Sequence, residues 1–463
     1  MALSSARTAP SMTRQPRACG RRTVRQWPRP PKVRPARLLT FPTFSIGRAR
    51  KGAADWLWKE VLRARRPMLP LSSGTRIGLT RSYYNNGRLD SSRGGASQRG
   101  NALSLEKIDG ARIAARDLQP FVESVFRAAG TDQPSAAAVS TALVDASSRA
   151  FDTHGVRLVP FYMQGLEGGR INRAPTLTVT RKAPSIVHID ADDGLGHLAS
   201  YRAIEEASRI AAETGVAVAT VGRSSHHGAT GCYTRFAALS GFAALGMTHA
   251  DSAVIPYGGT SAFFGTNPIS FAVPAPGEDP ILLDMATSAI PFNRVELRRA
   301  TGTPLPPEIA VDKTGAFTTD ANAAVAVGPV GGATFGYKGS GLASMVDLLC
   351  SAFTGMGHGR TLSAFGGPDW SKPIPIGHFF IVMSPALFQT LAVFDERIAS
   401  FLTDLRAQPA KPGFEVQAPG DLEKAEAKRR ETTGLPIDPV TWAAFNAYAA
   451  RFGIPLPRDV GEA

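Results

Sequence analysis

Two short segments carry histidines in settings suited to proton transfer. One is Ser224-Ser225-His226-His227-Gly228-Ala229-Thr230-Gly231. An imidazole titrates near neutrality, and small neighbours with glycines leave room for a ligand close to the backbone. His226 is the candidate acid/base; His227 is adjacent and must point elsewhere, so one of the two serves a site. The other segment is Asp152-Thr153-His154-Gly155-Val156-Arg157. Thr153 and Asp152 could orient His154. Arg157, three residues on, would share a helical face with it and could clamp a carboxylate bidentately. A histidine that only caps a helix C-terminus would occupy the same place. A carboxylate ends an apolar run at Ile281-Leu282-Leu283-Asp284. It could fix a histidine tautomer, bond a cofactor ribose or amide, or cap the following turn. Lys338 lies in a glycine-rich turn, Gly336 to Gly341, where it could meet a cofactor phosphate or simply be exposed. These groups make a kit for redox chemistry on a small anionic substrate. No metal is expected, because adjacent histidines do not share a helix face and no His-x-x-x-His occurs. The three cysteines, Cys19, Cys232 and Cys350, are far apart, which argues against a disulfide framework or zinc site and for a reducing compartment.

The spacing of apolar residues gives the elements that must hold these groups. Leu118, Phe121, Val122, Val125 and Phe126 recur at helical intervals, with Asp117 as cap and Pro120 in the first turn. A second helix from about Gln133 to Ala150 delivers the chain to His154. A short helix is expected over 161–167, a strand over 185–189 and a long helix over 197–213. The strand Val216–Val221 then leads into the His226 loop. Strands follow at 242–248, 269–273, 281–284 and 378–383, and helices at 341–354, 388–405 and within 421–452. Residues 298–334, rich in Pro, Gly, Thr and Ala, read as surface loops.

Gly194-Leu195-Gly196-His197-Leu198-Ala199 fits the dinucleotide fingerprint G-x-G-x-x-G/A between a strand and a helix. Its companion acid at the end of the next strand is missing, with Gly222-Arg223 there instead, and Asp192-Asp193 place negative charge where a pyrophosphate would lie. A lone match of this kind is weak evidence for a Rossmann fold, although Arg223 could suit a 2′-phosphate.

The chain has 463 residues, 43% hydrophobic and 19% charged, which is enough for a large core. The net charge of +14 comes from one end. Residues 1–100 hold 22 of the 52 Lys and Arg and three of the 38 acids, so the remainder is mildly acidic. A basic groove in the body, and nucleic acid as its partner, are therefore disfavoured, and no apolar run reaches the length of a membrane span. Residues 1–103 read as a basic disordered extension, with a short candidate helix near 56–62. A transit peptide is a second reading of this extension, and a tail for nucleic acid or acidic membrane a third.

Taken in order, several segments resemble the malate/L-lactate dehydrogenase family of the second type. This non-Rossmann group includes ureidoglycolate, sulfolactate and diketogulonate dehydrogenases and cyclic-imine carboxylate reductases. The segments are DTHGVRLVPFY (152–162), SSHHGATG (224–231), PYGG (256–259), FFGTNPISFAVP (263–274), LLDMATS (282–288) and FGYKGSGLASMVDLL (335–349). The resemblance covers about 111–457. It implies an α+β fold: a mostly antiparallel central sheet flanked by helices binds NAD or NADP, with helical N- and C-terminal substrate parts. Residues 191–354 would form the cofactor domain, and 104–190 with 355–463 the substrate and dimerisation part. It implies a homodimer, expected in the cytoplasm unless the extension targets an organelle. His226 would be the proton acceptor, and His154 would stand at the substrate with Thr153 and Arg157. Asp284, Met285 and Ala286 would stand at the cofactor or in a histidine relay, with Lys338 and Gly339 at the cofactor. Members often have Asn-Ser after the strand ending near Thr248; here His249-Ala250 replace them. The expected reaction is hydride transfer between the nicotinamide and a 2-hydroxy or 2-keto acid. A cyclic-imine carboxylate reductase and a catalytically silent metabolite-binding relative are the alternatives.

Overall fold

A computed structural model describes residues 110–461; the expectations for residues 1–103 lie outside them. The described chain opens with β1 (Ala111–Ile113) and α1 (Ala115–Ala128), whose stripe Leu118, Phe121, Val122, Val125 and Phe126 is buried as the periodicity predicts. The helix starts before Asp117, which therefore meets the helix dipole in the first turn instead of capping it. Asp132 caps α2 (Gln133–Ser148), its carboxylate accepting the Ser135 N–H at 3.0 Å. After two tight turns comes α3 (Val159–Gly168).

A seven-stranded sheet follows. It contains β2 (Thr178–Ala183), β3 (Ile186–Asp190), β4 (Val216–Ser224), β5 (Ala243–Thr248), β6 (Ile269–Val273) and β7 (Ile281–Met285). Between them run α4 (Gly196–Thr214) and α5 (Gly231–Leu239). Beyond β7 lie α6 (Phe292–Thr301), the short strands β8 (Ala310–Val311), β9 (Phe317–Thr318) and β10 (Ala326–Val327), α7 (Gly332–Ser351) and β11 (Ile376–Met383). The helices α8 (Leu391–Arg406) and α9 (Asp421–Thr433), strand β12 (Leu435–Ile437) and α10 (Pro439–Phe452) complete the chain. The sheet order is β2-β3-β4-β11-β5-β6-β7. Its one parallel pair is β3–β4, joined by the α4 crossover, and every other neighbour is antiparallel. Val187, Ile189, Ile204, Ile210, Val221 and Phe380 form the core between α4 and the sheet.

Three differences from the sequence reading matter. The 298–334 stretch is not all loop: it holds the end of α6 and a three-stranded sheet, β10-β8-β9. The glycine-rich run before residue 341 belongs to α7, so Lys338 is on a helix and not in a turn. Glycine disfavours helix, but here packing overrides propensity: a Cβ at Gly339 would stand 2.4 Å from the Val330 carbonyl oxygen, and one at Gly336 2.9 Å from Pro329. Finally, the sheet takes β2, β3 and β11 from outside residues 191–354, so it crosses the boundaries read from sequence. Strands need hydrogen-bonded neighbours, and β4 and β5 find theirs in β11.

Candidate active site

His226 stands where the chain leaves β4 for α5, the junction the sequence indicates. Its Nδ1 lies 2.7 Å from the Tyr162 hydroxyl of α3, and the Gly228 N–H donates to the same nitrogen at 3.3 Å. Nε2 has no hydrogen-bond partner among the described residues. The His154 ring faces it, with centroids 5.9 Å apart and planes 28° apart, and Thr153 Oγ1 touches His154 Nδ1 at 2.9 Å. Burial lowers His226 to about 3 and His154 to about 4, and for His226 the neighbouring His154 adds to the effect. Both rings are therefore neutral at physiological pH.

Close backbone packing holds the two histidine turns. A Cβ at Gly155 would meet Ser147 Oγ at 2.1 Å, and the same hydroxyl accepts the Val156 N–H at 3.0 Å. Asp152 does not orient His154 as the sequence suggests. Its two oxygens take the Arg430 guanidinium of α9 at 2.6 and 2.9 Å, so α9 pins the turn. His227 points the other way, as expected. It is fully buried, bonded to Ser200 Oγ at 2.9 Å and Thr230 Oγ1 at 3.1 Å, and stacked on His378 at 4.2 Å. His197 packs its ring edge against Tyr162 at 4.8 Å, with both nitrogens buried and without a hydrogen-bond partner.

The Gly194 motif packs against this loop. Gly196 opens α4 and donates its N–H to Ser225 Oγ at 3.1 Å, and a Cβ there would lie 2.2 Å from the Ser225 carbonyl oxygen. The helix N-terminus thus abuts the histidine loop directly. The β3–α4–β4 unit is a true parallel crossover, which explains why the fingerprint's context matched. Arg223 is paired with Asp190, Asp192 and Asp193, the last at 2.7 Å, so its charge is already offset by carboxylates.

Beside His226 is a cavity of about 20 Å³, lined by Phe161, Arg170, Phe365, Trp370 and Ile374 among others. A cleft of about 610 Å³ between α1 and residues 454–458 is larger, but its charged lining is only Arg116, Asp117 and Arg458 and it holds no histidine. The chemistry therefore belongs to the smaller cavity.

The remaining sequence candidates divide. Arg157 is half exposed and faces Asp438 at 4.0 Å, in contact with neither His154 nor His226, because a 3-10 turn replaces the expected helical face. Asp284 accepts the Gly231 N–H at 2.7 Å at the start of α5 and touches no histidine. Burial raises it to about 7 despite that bond. Met285 and Leu283 are partly exposed on β7. Gly339 is buried against Val330 and is not open to a ligand. The dispersed motifs nevertheless converge. Tyr257 of the PYGG segment donates its N–H to Ser340 Oγ at 2.6 Å and packs on Tyr337. Asn267 donates to the Ala343 carbonyl at 3.1 Å, and the Val330 N–H reaches the Thr287 carbonyl at 2.9 Å. Lys338 lies over Phe335 and near Tyr337, with no carboxylate in ion-pair range among the described residues. An unpaired ammonium beside exposed aromatic rings suits the phosphates and flat rings of a nicotinamide dinucleotide. His249 is buried and bonded to the Gly357 carbonyl at 2.8 Å, tying down the start of the segment that covers His226.

Comparison with known proteins identifies relatives of this fold. Malate dehydrogenase of Pyrococcus horikoshii is 32% identical over 350 residues, 74% of this chain and 96% of that one. Ureidoglycolate dehydrogenase (NAD(+)) of Escherichia coli K12 is 31% identical over 327 residues, 70% of this chain and 92% of that one. The solved structure of the Pyrococcus horikoshii OT3 malate dehydrogenase superposes with a TM-score of 0.69 at 29% identity, covering 75% of this chain and 98% of that one. A model described as malate/L-lactate dehydrogenase matches residues 113–446, nearly all of the described fold, and the chain belongs to that family.

Proposed function

We propose that the protein is an NAD(P)-dependent oxidoreductase that interconverts 2-hydroxy and 2-oxo acids, with His226 as the proton acceptor. The observation that carries this reading is the His226 ring: Nδ1 is anchored by Tyr162 and Gly228, while Nε2 is left without a partner beside a cavity. The bound nicotinamide would accept or supply the hydride at C4. His226, neutral before the substrate arrives, takes the hydroxyl proton at Nε2 in the tautomer that carries its own proton on Nδ1 and donates it to the Tyr162 oxygen, giving up the longer Gly228 contact, and returns the proton to the substrate oxygen in the reverse direction. A substrate carboxylate nearby favours the protonated ring and offsets part of the burial that lowers its pKa. His154, whose ring faces His226, would stand beside the same reacting oxygen. Lys338 would hold the cofactor's anionic part, and Asp284, Met285 and Ala286 would stand at the cofactor.

A homodimer belongs to the same reading. Leu342, Met345, Leu348 and Phe353 leave an apolar row exposed on and just beyond α7, a surface that a second copy would cover. A cytoplasmic location fits the free, buried thiols of Cys232 and Cys350. Among the described residues no helix is long and apolar enough to cross a membrane.

The test is oxidation of NADH and NADPH, followed by absorbance, with a panel of 2-oxo acids. His226→Asn should lower kcat by about 10²–10⁴ while cofactor affinity holds. Undiminished turnover in that variant would remove His226 from the mechanism.

A further inference from the structure

With Arg157 turned toward Asp438, another guanidinium is placed to meet the substrate. Arg170 is the one formally charged side chain in the lining of the cavity beside His226. It is only 5% exposed. Its Nη1 donates to the Phe365 carbonyl at 2.7 Å, Nη2 donates to the Asp369 carbonyl, and its plane lies 4.2 Å over the Trp370 ring. Its Nε is buried and has no hydrogen-bond partner among the described residues. No carboxylate lies within ion-pair range among the described residues; Asp369 and Asp251 attract the guanidinium from further off, and Asp251 accepts the Phe365 N–H at 3.0 Å. A buried cation that hydrogen-bonds only neutral carbonyls, with its nearby carboxylates beyond ion-pair range, is under-compensated, since buried charges are normally paired. An anion entering this cavity would complete it. Apart from Ser225 and His226 the rest of the lining is apolar: Phe161 and Phe365 meet the His226 ring in edge-to-face contacts with centroids 5.9 and 5.6 Å away, and Trp370 meets Phe161 in the same way at 5.6 Å.

We infer that Arg170 anchors the substrate carboxylate and that the substrate is a 2-oxo or 2-hydroxy monocarboxylic acid with an apolar side chain, an inference that rests on the dehydrogenase reading above. One cation matches one carboxylate. A second anionic group, as on a four-carbon dicarboxylate or a sulfonate, would be desolvated among Phe161, Phe365 and Trp370 with no counter-charge. A side chain of hydrocarbon or aromatic character is what these rings accept. The cavity has room for about one water molecule, so the Phe365–Trp370 segment must move outward to admit the substrate.

The experiment is steady-state kinetics of the full chain with NADH and NADPH against phenylpyruvate, 4-methyl-2-oxopentanoate, oxaloacetate and 3-sulfopyruvate. The same panel includes the carboxamide of phenylpyruvate. The apolar acids should exceed the two doubly anionic ones by about tenfold or more in kcat/KM, and the acid should exceed its amide by about 100-fold. Arg170→Met should raise KM for the acid by about 100-fold, leave cofactor affinity unchanged and treat acid and amide alike. Phe161→Arg, which adds a second cation, should shift preference toward oxaloacetate. Equal use of acid and amide by the wild type, or an unchanged KM in Arg170→Met, overturns the anchor. Because the acid–amide comparison needs no variant, a poorly folding Arg170→Met leaves the question answerable. Turnover confined to oxaloacetate or sulfopyruvate overturns this inference and leaves the dehydrogenase reading standing. No turnover of any 2-oxo acid with either cofactor overturns both.

Discussion

Tyr162 is the residue closest to the proposed base, 64 positions away in sequence and 2.7 Å away in space. Burial pushes its hydroxyl well above the usual phenol range, so it remains protonated and serves as a fixed hydrogen-bond partner for Nδ1. Tyr162→Phe should lower kcat by about 10–100-fold, change the pH dependence of kcat, and leave cofactor affinity alone. A loss seen only in cofactor binding would show that the hydroxyl does not act through His226. The histidines themselves were legible, because glycines and hydroxyl residues around them signalled space and polar partners. Tyr162 and Arg170 were not. Tyr162 reads as one more apolar position of a short helix and Arg170 as a surface charge after Gly168-Gly169; only the folded chain brings them to His226 and the cavity. Arg157 shows the converse. Three-residue spacing implied a shared face with His154, but the intervening Gly155 breaks the helical path, with φ −94° and ψ −148°.

At the scale of elements, the glycine at the head of α4 has a consequence for the site. Any side chain at Gly196 meets the Ser225 carbonyl, which is backbone and cannot swing aside. Gly196→Ala should destabilise the protein by about 1–3 kcal/mol by overpacking and should displace the His226 loop, so kcat falls along with the melting temperature. A variant with normal kcat and a normal melting curve would show that the loop can yield. Arg430→Met addresses the other histidine turn. It leaves Asp152 and Glu426 without the guanidinium that both now share, and breaking so buried a pairing costs about 3–5 kcal/mol. Most of the larger elements were readable, the helices from a one-sided stripe such as that of α1 and the central strands β5 and β11 from short apolar runs buried on both faces. The first turns of α7 were not: four glycines and a proline nearby advertise a turn, and only the packing of Gly336 and Gly339 against Pro329 and Val330 makes them helical. The G-x-G-x-x-A match misled for a related reason, since close approach to a peptide backbone and close approach to a pyrophosphate ask for the same small residues.

Across the molecule, His154, His197, His226, His227 and His378 are all held neutral by burial, with His226 and His378 at about 3 and His154 at about 4. Above about pH 6.5 neither the folded nor the unfolded chain protonates them, and nothing is lost. Below that, the unfolded chain takes up protons that the fold refuses. Stability then falls by up to about 1.4 kcal/mol per pH unit for each histidine until its folded pKa is reached. Asp284 opposes this weakly: its folded pKa of about 7 lies above its unfolded value, so its contribution is full below about pH 4 and is lost as the pH rises toward 7. Five groups outweigh one, and melting temperature should drop steadily from pH 6.5 to 4.5; a flat profile over that interval would contradict the burial of these rings. The placement of β11 between β4 and β5 reaches further, into the order in which the chain is made. Its eight residues leave the ribosome more than a hundred residues after Thr248, on the order of ten seconds later at ordinary translation rates. Until then β4 and β5 each present an unpaired edge, which invites other chains to pair with them. Nascent chains stalled before Ile376 should be aggregation-prone clients of chaperones, and those released after Met383 should not.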